Sequence, residues 1–194
     1  MSGELMKSAL DRAMERADQI EVPEEKFMEM EYRFEGERIA ARFFREPDCD
    51  LSTVLEDCDP KARQYILKPL ESVLLQNLVL PRKESDITGN EKVINGLSAV
   101  KKDKSAIQQA REQLENLSNY YSQARKQHYE QLKAQVEQAM AQAIQQQAGL
   151  GDAQGFNVEQ TPEFQENWRR LSAKLDLEYN KALDQLKQQI ASAS

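Results

Sequence analysis

Near the end of the chain, apolar side chains return every eleven positions. Phe164, Trp168 and Leu171 recur as Leu175, Tyr179 and Ala182, and again as Leu186, Ile190 and Ala193. An eleven-residue period is about 3.67 residues per turn, close to that of an unstrained α-helix, so the stripe runs nearly straight and suits another long helix. Thr161 is placed to cap this helix, Pro162 to begin it, and Glu163 to sit in its positive first turn.

A longer element precedes it. From Asp103 to Gln147 there is no Gly and no Pro, and strong helix formers dominate. Roughly 45 residues at 1.5 Å each predict a rod of about 67 Å. Its apolar positions begin in heptads, Ile107, Ala110, Leu114, Leu117, Tyr121, Ala124 and His128. They then step by four to Leu132 and Val136 before Ala139 and Ala143, a stutter that relaxes left-handed supercoiling. The two elements predict a long antiparallel helical hairpin, coiled-coil-like, over 101–194, with a connecting loop at about 148–161. The last helix is expected along the distal two-thirds of the rod. Phe164, Trp168 and Tyr179 are its large knobs, and Ala124, Ala134, Ala139 and Ala143 are the room left for them. The same stripe serves an intramolecular hairpin and a swapped dimer equally.

Residues 1–100 predict an acidic N-terminal part, α or α+β. A first helix over Glu4–Glu21 carries Met6, Leu10, Ala13, Ala17 and Ile20 on one face, and Pro23 ends it. Over 27–45 two patterns compete. Met28, Met30, Tyr32 and Phe34 alternate with charged residues, and Ile39, Ala41 and Phe43 resume the alternation after Gly36, which favours a β-hairpin. A helix with Phe27, Met30, Phe34, Ala41 and Phe44 on one stripe is the alternative, Gly36 then costing about 1 kcal/mol relative to Ala. Asp50 and Asp59 read as N-caps, with Leu51–Glu56 helical and Pro60 opening a helix to about Leu80 that contains Pro69. Gly89 and Asn90 read as a polar connection to a short helix through Val93, Ile94, Leu97 and Val100.

Charge is uneven. Residues 1–60 hold 17 Asp/Glu against 8 Lys/Arg, whereas the rest is close to balanced and the whole chain carries −7. The acidic first third argues against nucleic acid as the main partner. Arg82, Lys83, Lys101, Lys102 and Lys104 form a small basic spot, read as solvated surface. No segment approaches the 18 or so apolar residues of a membrane span, and the charged first twenty residues do not make a signal peptide, so a cytoplasmic protein is expected.

Catalytic chemistry is sparse. His128 is the one histidine, in a seam position, without further ligands at metal spacing. Cys49 and Cys58 lie among carboxylates that disfavour the thiolate, and an intervening helix sets them roughly 13 Å apart, too far for a disulfide. Gly149–Gly155 lacks the context of a phosphate-binding loop. No catalytic residue, cofactor or metal is expected, and a non-enzymatic role follows. The candidate partner-binding residues are Gln123, Gln127, Gln131, Gln135, Gln138 and Gln142, continued by Gln145 along one side of the long helix, and Phe156 in the connecting loop. Glutamine both donates and accepts, which suits recognition of a partner helix or pairing in a homo-oligomer. The expected function is a protein–protein interaction, scaffold or adaptor role with a helical partner. The alternatives are a holdase-like chaperone gripping clients near Leu150 and Phe156, or a small-molecule or metal-binding module around Cys49–Cys58.

Overall fold

Local sequence signals fix most helix starts in the computed structural model, which describes residues 23–146 and 157–193. Six α-helices are found and no strand among the described residues: α1 Glu24–Arg45, α2 Leu51–Glu56, α3 Pro60–Gln76, α4 Glu84–Val100, α5 Lys104–Gln146 and α6 Pro162–Ser192, with a 3-10 turn at Val158–Gln160 before α6. Asp50 caps α2, accepting from Ser52 N at 3.1 Å and Thr53 N at 3.4 Å. Asp59 accepts from Lys61 N at 2.8 Å, Asp103 from Ala106 N at 2.9 Å, and the Thr161 hydroxyl from Phe164 N at 3.2 Å. Each satisfies a donor that a helix start leaves without an intrahelical partner. The helix expected over Glu4–Glu21 lies outside the described residues, as does Gly149–Gly155.

Contacts divide the chain into two compact units, Met1–Leu70 and Glu71–Ser194, with the boundary inside α3. The sequence division at residue 100 instead grouped α4 with the N-terminal part. In the first unit the expected β-hairpin over 27–45 is replaced by helix α1. The residues that bury are Gly36, Ile39, Ala40 and Phe43, whereas Phe27, Met30 and Phe34 stay 60, 68 and 73% exposed. The alternation therefore did not mark a buried face. Gly36 is a close-approach residue and not a turn: a Cβ there would lie 2.7 Å from the Ile66 carbonyl oxygen and 3.0 Å from Pro69 Cβ. Leu51, Leu55, Ala62, Ile66 and Leu70 are the unit's other buried apolar residues among those described.

In the second unit the Gly89-Asn90 pair lies within α4, contrary to the connection expected there. Asn90 is 4% exposed and its amide pairs with both backbone groups of Val79, accepting at 3.0 Å and donating at 2.8 Å. It acts as a strand's edge would, satisfying the backbone after α3. Lys101 is also buried, not solvated surface. Its ammonium reaches Glu71 at 2.9 Å and donates to the carbonyls of Ala191 and Ala193 at 2.9 and 2.7 Å, capping the negative end of α6.

Helices α5 and α6 meet in reversed chain order. Lys133 pairs with Glu159 at 2.8 Å, and the Tyr129 ring meets Phe164 and Trp168 at 5.3 and 5.0 Å. Tyr121 meets Tyr179 at 5.4 Å, and Lys101 reaches Ala193. All nine positions of the eleven-residue repeat are buried or half-buried. The α5 side chains in these contacts, from Tyr121 to Val136, lie in the distal two-thirds of the rod, and Lys101, just before α5, reaches the end of α6. The return is pinned by Val158, which buries with Val136 and Phe164 in a cluster joined by Tyr129, Leu132, Met140 and Trp168. Ala134, Ala139 and Ala143 are exposed, so the large rings of α6 meet Tyr121 and Tyr129 and not a row of alanines.

Candidate functional site

Two surfaces of the second unit concentrate exposed polar and charged side chains. The first is the glutamine row. Gln123, Gln127, Gln131, Gln135, Gln138 and Gln142 are all exposed on α5. Each follows by two positions a residue that touches α6 or the 3-10 turn, or packs on the cluster they form with α5: Tyr121, Arg125, Tyr129, Lys133, Val136 and Met140. At about 3.6 residues per turn, two positions are about 200° of rotation, so the row lies on the side of α5 turned away from α6. One face of the helix is spent on packing and the opposite face presents neutral donors and acceptors. His128 is half-buried, as its seam position implies. Phe156, the remaining predicted binding residue, lies outside the described residues.

The second surface surrounds Asp176, which sequence reasoning missed. Its carboxylate accepts from the Tyr121 hydroxyl at 2.6 Å, hydrogen-bonds the Arg82 guanidinium, and lies 3.9 Å from Arg125 Nη1. Arg125 also donates to the Tyr121 oxygen at 3.2 Å and lies over the Trp168 ring, 5.2 Å from its centroid. Hydrogen bonding to Tyr121 and the charge of Asp176 raise the Arg82 pKa above its ordinary value. Pro81, Arg82, Ser122, Arg125, Lys126, Tyr129 and Trp168 line an open cleft of about 370 Å³. Asp176 follows Leu175, a repeat position, so the period placed it at the edge of the buried stripe; Arg82 was legible only as part of a basic spot read as solvated surface.

Flanking this region, the Lys133–Glu159 pair holds the 3-10 turn to α5. The Lys133 hydrogen bond, followed by that of Tyr129, lowers the Glu159 pKa, and burial with the Glu159 interaction raises that of Tyr129.

In the first unit, Cys49 and Cys58 are free thiols. Cys58 donates to the Val54 carbonyl at 3.2 Å, and burial, then the charge of Glu35, raises its pKa. Burial and the nearby carboxylate thus both disfavour its thiolate. It lines a cleft with Arg38, Arg42 and Arg45. Among the described residues, no three His, Cys, Asp or Glu side chains come together to hold a metal ion, and no helix is long and apolar enough to cross a membrane.

No curated protein and no solved structure matches the chain. Residues 52–192, from the start of α2 to the end of α6, match a family of unknown function, and the chain belongs to that family, DUF6657.

Proposed function

We propose that this is a non-catalytic, cytoplasmic interaction protein, a scaffold or adaptor, whose α5–α6 region acts as a long antiparallel helical hairpin. The partner is a helical protein, a further copy of the chain being the first candidate, and neither nucleic acid nor membrane is engaged. The observation that carries this reading is the glutamine row, exposed along five turns of α5 and turned away from α6. A helix of 43 residues that packs on one side leaves a long surface on the other.

The test is sedimentation velocity of the full chain beside Gln131→Glu/Gln138→Glu. Association in the parent and a monomeric variant with unchanged helicity support the reading. Association that survives the double change removes the row from it. If the parent is monomeric throughout, the partner is another protein, and affinity capture lost in the same variant is then required.

A holdase role is a second reading, favoured by Phe27, Met30 and Phe34, which expose apolar surface at a spacing of three and four along α1. Suppression of a client's aggregation should then fall in Phe34→Ser; undiminished suppression rejects it.

A further inference from the structure

The cleft at Pro81, Arg82, Arg125, Lys126, Tyr129 and Trp168 is independent of the glutamine row. We propose that it binds a small aromatic anion, with the flat ring against Trp168 and the acidic group held by Arg125, Arg82 and Lys126. Three observations carry this.

The first is the charge. Three cationic side chains converge on the cleft and remain open to solvent: Arg82 is 60%, Arg125 32% and Lys126 78% exposed. Asp176, only 18% exposed, is shared between the two arginines, and Glu130 reaches Lys126 at no closer than 4.0 Å. Glu159, beside Tyr129, is paired with Lys133 at 2.8 Å, so Asp176 and Glu130 are the carboxylates set against the three cations, and a positive surplus remains.

The second is preorganisation. Arg125 is held from three sides, by the Tyr121 hydroxyl, the Asp176 carboxylate and the Trp168 ring. Tyr121 is itself fully buried and tied to Asp176. A guanidinium already fixed in one geometry loses little rotamer freedom when it accepts an anion.

The third is the aromatic wall. Trp168 is half-buried, set edge-to-face against Tyr129 at 5.0 Å and 87° and covered on part of its ring by Arg125, so its indole is fixed, and the rest of it lines the cleft. A volume of about 370 Å³ suits one ring with one acidic group. A single knot of three cations on a chain of net charge −7 does not suit a nucleic-acid backbone, which needs a continued basic track.

The test uses the one tryptophan of the chain, whose indole N–H gives a single NMR cross-peak from this wall. The full chain is titrated with phenyl phosphate, benzoate and inorganic phosphate. Either aromatic acid should move the peak saturably, and the tighter of the two identifies the acidic group as phosphate or carboxylate. Inorganic phosphate should bind more weakly, having no ring to place on Trp168. Lys126→Gln, at an exposed position that leaves the helix contacts intact, should weaken binding about threefold, the scale of one exposed ion pair. Arg125→Gln should weaken it more. A peak that moves only linearly with both aromatic acids overturns the proposal. So does equal binding by inorganic phosphate, or an affinity indifferent to Lys126→Gln and Arg125→Gln alike.

Discussion

Helices α1 and α6 are both charged, aromatic-bearing helices, yet they use their apolar residues differently. In α6 all nine positions of the repeat are buried or half-buried. In α1 the apolar residues divide: Phe27, Met30 and Phe34 face solvent, and Ile39, Ala40 and Phe43 bury beyond Gly36. A period sustained over three repeats is hard to satisfy by chance and identifies a buried face. An alternation of a few residues is compatible with a helix whose apolar residues were never gathered on one side.

The comparison is broken most severely at two phenylalanines. Phe164→Ala should cost about 3–5 kcal/mol, because Phe164 is 2% exposed in the cluster with Val136 and Val158. Phe34→Ala should change stability by less than about 0.5 kcal/mol at its 73% exposed site. Chemical denaturation of both variants checks the pair; similar losses would mean that α1 buries its stripe after all.

Next comes Lys101→Ala, which strands Glu71 and uncaps α6. A loss of about 3 kcal/mol is expected from denaturant unfolding. Lys102→Ala, at an exposed neighbour, should leave the midpoint unchanged.

The two glycines that lie in different helices sharpen the same contrast. Gly36→Ala forces a Cβ to 2.7 Å from a carbonyl oxygen and should destabilise by a net of roughly 1–2 kcal/mol. Gly89→Ala meets nothing within 4 Å and should stabilise by roughly 0.5–1 kcal/mol. Thermal midpoints moving in opposite directions are the expected result.

The smallest effect is pH-dependent. Because the folded state holds Glu159 below its ordinary value of 4.5, its pairing contributes above that value and is lost as the pH falls through the folded-state value. Thermal midpoints of the parent and Glu159→Gln should differ at neutral pH and converge in acid. Curves that stay parallel would remove Glu159 as the cause.

What the sequence made legible was local or periodic. The caps at Asp50, Asp59 and Thr161, the extent of α5 and the face of α6 each follow from residues within a few turns of one another. What it concealed depended on contacts distant along the chain. Asn90 resembles a loop residue until Val79 is seen to need its amide. Lys101 resembles solvated surface until the last carbonyls of α6 arrive beside it. Gly36 resembles a turn until the Ile66 carbonyl fills the space of its Cβ. The glutamine row was legible as a row, since spacing alone places it on one side of α5. Its opposition to α6 was not, because that required the contacts of Tyr121, Arg125, Tyr129 and Lys133. The cleft at Trp168 was hidden for the same reason, as Arg82 enters it from far earlier in the chain.

The central claim, that the side of α5 turned away from α6 is a binding surface, is tested most directly by photo-crosslinking. A photoreactive amino acid is placed at Gln131 in one variant and at the exposed Lys174 of α6 in another. The account predicts discrete protein adducts from position 131 and none from position 174. Equal labelling from both positions, or none from position 131, would contradict it.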